Sequence, residues 1–98
     1  MAMPSEQLSV ERIVGKLYES ESTRIRATLV RLLGSMELAE DALHDAFRAA
    51  VEQWPEDGVP DNPRSWLIST GRFQAIDRIR RRSTYDEKLA ELADTIER

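Results

Sequence analysis

The sequence predicts an all-α protein, a compact bundle of three to four helices, and three observations carry that expectation. Only four glycines and four prolines punctuate 98 residues, leaving gaps between breakers too long for a set of short strands. Apolar residues recur at three- and four-residue spacing through most of the chain, the period of a helix with one buried face. Hydrophobic residues make up 41% and charged residues 33%, enough for one small core but neither a disordered chain nor two domains.

Residues 1–8 read as a flexible polar leader, 9–82 as the helical domain, and 83–98 as the start of a linker or a short helix. Ser9 is a candidate cap for a first helix, in which Val10, Ile13, Val14, Leu17, Ile25, Thr28, Leu29 and Leu32 form the inner face. Glu19-Ser20-Glu21-Ser22-Thr23 is poor in helix formers, so one long helix with a weak point is favoured over two. Gly34 ends it. Ser35 caps a second helix running to about Trp54, with Leu38, Ala39, Ala42, Leu43, Ala46, Phe47, Ala50 and Val51 inside. Pro55 to Asn62 contains two prolines and a glycine and is the clearest loop. Asn62 as N-cap and Pro63 at the first helical position then open a third helix. On it Trp66, Ile68, Phe73, Ala75, Ile76 and Ile79 fall within half the circumference. Ser83-Thr84-Tyr85 reads as a break, followed by a short amphipathic helix with Leu89, Leu92, Ala93 and Ile96 on one side.

The charge is divided along the chain. From Arg64 to Arg82 six arginines stand against one acid, Asp77, a net +5 in a protein of net −4. Arginine's planar fork suits phosphate, so a polyanion is the partner such a helix fits, although basic residues also favour any helix C-terminus. Trp66 and Phe73, interleaved with the arginines, offer rings on which unpaired bases stack. From Glu37 to Asp61 eight acids stand against Arg48 alone. Glu37, Glu40, Asp41, Asp45 and Glu52 share an outer helix face with His44, and within the chain no compensating partner for that face is expected. Such a cluster suits a basic protein surface; simple solvation is the plain alternative.

Catalysis has little support. The chain has no cysteine and one histidine, His44, set among carboxylates on an exposed face, with no glycine-rich phosphate loop. No enzyme activity, cofactor or metal site is expected, since His44 with its acidic neighbours matches no strong ligand spacing. The N-terminus lacks a signal-peptide pattern and no apolar stretch reaches a membrane span, so a cytoplasmic protein without membrane contact is expected.

Ala39-Glu40-Asp41-Ala42-Leu43-His44-Asp45-Ala46-Phe47, Trp54-Pro55, Asn62-Pro63 with Trp66-Leu67, Arg72, and Ala75-Ile76-Asp77-Arg78-Ile79-Arg80-Arg81 occur in order. Together they resemble region 2 of the extracytoplasmic-function (ECF) sigma factors, in the sigma-70 family of bacterial transcription initiation factors. The Asp57-Gly58-Val59-Pro60-Asp61-Asn62-Pro63 loop resembles the subgroup with long C-terminal extensions. The resemblance implies a helical domain that docks on core RNA polymerase and melts the promoter −10 element. It places Glu40, Asp41, His44, Asp45 and Arg48 against the clamp helices of the polymerase beta-prime subunit. The loop, with Val59, Asp61 and Asn62, and the helix after it, with Arg64, Ser65, Ser69, Arg72, Phe73, Arg78 and Arg81, match segments that capture a flipped base of the single non-template strand and grip its backbone; the charge division itself adds Arg82 to Arg64, Arg78 and Arg81 as expected phosphate ligands. An anti-sigma factor or a C-terminal regulatory domain is a further partner that it allows. Family members carry a second helical domain, which this chain stops short of, so a fragment of a longer protein is expected.

Two departures from the family pattern bear on the site. Gly71-Arg72-Phe73 stands where the family often has Ala-Arg-Asn; a glycine there costs about 1 kcal/mol relative to alanine, and Phe73 is either core or a stacking platform. His44-Asp45 stands where it often has Gln-Glu. A helix-turn-helix regulator of duplex DNA and a helical protein-interaction module are the competing readings. The eight-residue loop before the basic helix argues against the first.

Overall fold

A computed structural model describes residues 5–97. It contains three helices, α1 (Ser5–Leu33), α2 (Met36–Asp57) and α3 (Pro63–Glu97), and no strand among the described residues. Helix α1 begins ahead of the expected cap: Ser9 is an exposed interior position, and Ser5 to Leu8 of the expected leader are helical, while residues 1–4 lie outside the described residues. It runs unbroken through Glu19 to Thr23, because Ser22 is buried in the packing and Ser20 Oγ donates to the Lys16 carbonyl at 3.0 Å within the helix. Gly34, at φ 72°, ends α1, its N–H donating to the Val30 carbonyl at 2.8 Å. A side chain strains that conformation, and glycine does not.

Two of the three predicted N-caps form. Ser35 is extended, and its Oγ accepts from the Leu38 N–H at 3.2 Å; Asn62 Oδ1 accepts from the Ser65 N–H at 3.1 Å. Helix α2 continues three residues past Trp54, through Pro55 in its last turn. The missing N–H of Pro55 forfeits only one terminal bond, to the Val51 carbonyl, and Gly58 closes the helix by donating to the Trp54 carbonyl at 2.8 Å. The irregular connection is thus 58–62 rather than 55–62. The expected break at Ser83 to Tyr85 is absent. No glycine or proline stands there, and Thr84 Oγ1 donates to the Arg80 carbonyl at 3.0 Å, so α3 absorbs the expected fourth helix.

Helix α2 lies between α1 and α3 and supplies most of the core. Ala39, Leu43, Ala46, Ala50 and Trp54 pack with Ile25 and Leu29 of α1 and with Leu67 and Ala75 of α3. The inner stripe of α3 is Leu67, Gly71 and Ala75, at four-residue spacing, narrower than the half circumference predicted. Phe73 is 75% exposed, which removes it from the core, and Ile79 is 45% exposed. On α1, Ile13 and Leu32 are likewise exposed rather than inside. Beyond Arg78, α3 has no buried residue and projects from the bundle. The radius of gyration is accordingly 17.7 Å, against about 13 Å for a compact domain of this length.

Gly71 is where α3 touches α2. A Cβ built on it meets the Ala42 carbonyl oxygen at 2.8 Å and Ala46 Cβ at 3.4 Å. Alanine there gains roughly 1 kcal/mol of helix propensity, but forced overpacking costs about 1–3 kcal/mol, and a backbone carbonyl yields less readily than a flexible side chain. Gly71→Ala is expected to lower the urea midpoint, and Gly71→Val to lower it further. A rise in midpoint for the alanine variant contradicts the close approach.

Candidate nucleic-acid interface

The acidic face of α2 is present, with Asp41, His44 and Arg48 exposed. The expectation that its acids lack partners within the chain is corrected. Arg78 Nη2 donates to Asp45 Oδ2 at 2.5 Å, and its Nη1 lies 3.6 Å from Asp41 Oδ2. Close packing at Gly71 explains this, since Arg78 lies about two turns further along α3 and is thereby carried over α2. Glu40 accepts from Arg26 Nε of α1. No group of three His, Cys, Asp or Glu side chains suited to a metal occurs among the described residues.

The expected phosphate-binding arginines divide by environment. Arg64 is committed to α1: its Nε donates to Glu21 Oε2 at 2.8 Å and its Nη2 to Oε1 at 2.9 Å, the bidentate geometry of a strong ion pair. In this form Arg64 fastens the start of α3 to α1 and offers no free guanidinium to a phosphate. Arg81 pairs with Asp77 one turn away at 2.9 Å and remains 81% exposed. Arg72, Arg80 and Arg82 are exposed and make no ion pair among the described residues.

The hydrogen bond from Arg64, aided by its charge and opposed by partial desolvation, holds the Glu21 carboxyl below its ordinary value of 4.5. A depressed folded-state value adds stability above the unfolded one, and that stability is lost as pH falls through the folded value. Glu21→Gln is therefore expected to melt at a lower temperature than the parent at neutral pH. The two melting curves should converge below pH 4.5; a constant gap through the acid range contradicts the pairing. Because both groups are solvent-accessible, the difference should be small and should shrink with salt.

Ser65, Ser69, Arg72 and Phe73 fall on one side of α3 at 100° per residue. Arg78, Arg81 and Arg82 lie round the other side. Phe73 and Ser69 border two open grooves: one of about 240 Å³ with Leu32, Ile68, Arg72 and Ile76, the other of about 500 Å³ with Gln53, Trp66, Thr70 and Gln74. An exposed ring beside Arg72, with apolar walls and a hydroxyl, has the chemistry to stack a base and hold its backbone. Val59 and Asp61 are exposed in the loop, whereas Asn62 spends its side-chain oxygen on the helix cap. Trp66 is half-buried and meets Trp54 edge-on at 5.2 Å, so its ring belongs with the core.

Three charged residues outside the predicted set prove relevant. Glu21 and Arg26 hold Arg64 and Glu40 across gaps of 43 and 14 residues, and nothing local in the sequence signals such pairs. Arg80 was legible: it follows Ser69, Arg72 and Ile76 at helical spacing and shares their side of α3.

No helix among the described residues is long and apolar enough to cross a membrane. The chain matches the family Sigma-70 region 2 over residues 17–85, a span that takes in all of α2, the loop and most of α3. It is 35% identical to an uncharacterized protein of Rhizobium meliloti (strain 1021), the match covering 70% of this chain and 19% of that protein. The chain thus spans about a fifth of that relative's length. No solved structure matches it. The motif order, the three-helix fold and the match over 17–85 converge: the chain belongs to the sigma-70 region 2 family.

Proposed function

We propose that this chain is the part of an ECF-type sigma factor that docks on core RNA polymerase and holds the −10 promoter element open by binding its non-template strand. The observation that carries this reading is the division of charge between α2 and α3 within one family-matched domain. Glu40, Asp41, His44, Asp45 and Arg48 form the polymerase face, set against the clamp helices. The exposed Phe73 ring, with Ser65, Ser69, Arg72 and Arg80, receives bases and backbone of a single strand; Val59 and Asp61 line the entry loop, and Arg81 and Arg82 meet phosphates. Duplex DNA offers no unstacked base to Phe73, so single strands are the preferred ligand.

Anisotropy titrations of single-stranded and duplex −10-like oligonucleotides over a salt series test this. The net charge of −4 opposes approach to DNA, so the series starts at low salt. Single strands should bind more tightly, and Arg81→Ala should reduce the slope of log K against log salt by about 0.7, the share of one phosphate contact on a single strand. Tighter binding to duplex, or binding without salt dependence, overturns the proposal.

A further inference from the structure

We propose that the projecting half of α3 is a self-association surface, on which a second copy of this chain lies antiparallel so that the two distal helices form a short coiled coil. Leu67, Gly71 and Ala75, the stripe that packs on α2, continue in phase through Arg78, Arg82, Tyr85, Leu89, Leu92 and Ile96 at spacings of three and four. From Arg78 onward the two spacings alternate, the period of a helix that winds against a neighbour. The start of α2 lies beside Arg78, Ile79 and Arg82, with Glu37 and Leu38 bordering the same hollow, so α2 covers the stripe only to that point. Beyond it Tyr85, Leu89, Leu92 and Ile96 are 46% to 74% exposed. Helix α3 has no glycine or proline after Gly71, and so no hinge by which to fold this stripe onto its own bundle.

Charge selects both the occupant and its direction. Arg78, Arg80, Arg81 and Arg82 stand where the projection begins, while from Asp86 to Glu97 five acids stand against Lys88 alone. A parallel pair sets cations on cations and acids on acids, whereas an antiparallel pair lays the acidic end of each helix toward the arginines of the other. Shape agrees with charge. The stripe faces the side that α2 occupies, so in a parallel pair the two bundles claim the same space, and antiparallel pairing sends them to opposite ends. The register that opposes Leu89 to the partner's Leu92 also opposes Tyr85 to the partner's Ile96, and it brings Arg82 beside the partner's Glu97 at the end of the seam. Each contact then occurs twice by two-fold symmetry. Arg82 is available for this, since it makes no ion pair among the described residues. A seam of about two heptads is a small interface, so the dimer should be weak and reversible, with a Kd on the order of 10–100 µM.

Sedimentation equilibrium of the whole chain, at loadings from about 5 to about 500 µM, tests this without nucleic acid or polymerase, so its outcome is independent of the function proposed above. Mass should rise from monomer to dimer and no further, because a two-fold seam closes on itself. Helicity by circular dichroism should rise with it, since an unsupported helix end frays. Leu89→Gln with Leu92→Gln keeps the charge and lies outside the bundle, so it should leave the urea midpoint of the dilute chain unchanged and weaken association by about tenfold or more. Arg82→Glu should weaken association, and adding Glu97→Arg to the same chain should restore it. A parallel pair cannot give that rescue, since it sets Arg82 against Arg82 and Glu97 against Glu97. A chain that stays monomeric at the highest loading overturns the proposal and leaves the stripe to a different protein or to a further segment of chain. Association that survives the leucine changes, or a charge reversal without rescue, overturns the antiparallel seam.

Discussion

Trp54→Ala should unfold much of the domain. Trp54 is the largest fully buried side chain, 2% exposed, and it closes the end of the core between α2 and the start of α3, edge-on to Trp66. Replacing a buried tryptophan by alanine typically costs about 3–5 kcal/mol, and a whole domain of this size holds only about 5–15 kcal/mol. Urea denaturation followed by circular dichroism should show either a large fall in midpoint or no folded baseline. The indole N–H sharpens the test, because Nε1 is buried without a hydrogen-bond partner among the described residues. Trp54→Phe removes that unpaired donor along with some volume, and relief of the donor's desolvation cost, about 1–3 kcal/mol, offsets part of the lost packing. The phenylalanine variant should therefore lie much closer to the parent than the alanine one. Trp66→Ala should fall between them, since its ring is only partly covered.

Local chemistry made most of the fold legible. Ser35, Asn62-Pro63 and Gly34 marked helix ends because caps and positive-φ turns depend on the residues at those points. Misplaced boundaries were those where a weak local signal met helical context: Ser9 as a cap, Pro55 as a terminator, Ser83 to Tyr85 as a break. None of these three stops a helix unaided. The inner face of α3 was misread for another reason. Periodicity ranks residues by hydrophobicity and so chose Phe73 and Ile79, whereas the contact with α2 is made where a side chain is missing, at Gly71. A glycine at a helix crossing carries no hydrophobic signal, and the cost assigned to it was the visible trace of a close approach.

The candidate site was legible in its charge and not in its pairing. Six arginines and an acidic α2 were countable, but which of them neutralise one another depends on how the helices cross. Arg64 and Arg78 read as free phosphate ligands because Glu21, Asp41 and Asp45 lie 43, 37 and 33 residues away in sequence. In the structure Arg64 and Arg78 are engaged by acids of the other helices, whereas Arg72, Arg80 and Arg82 make no ion pair among the described residues.

The proposed polymerase face of α2 carries the second large expected effect and the most direct test of the proposed function. Truncating one member of a desolvated charge pair at an interface costs about 2–5 kcal/mol, or roughly 30-fold and upward in affinity, and reversing the charge adds repulsion. Asp41→Arg with Asp45→Arg should thus eliminate capture of core RNA polymerase by the immobilised domain. Because Asp45 is largely covered, circular dichroism must first show parental helicity; Asp41→Arg alone, at the 62% exposed carboxylate, provides the same reversal with little demand on the core. The decisive measurement is the affinity of the folded variant for core polymerase beside that of the parent: a docking face on α2 predicts loss of binding, and unchanged affinity would contradict it.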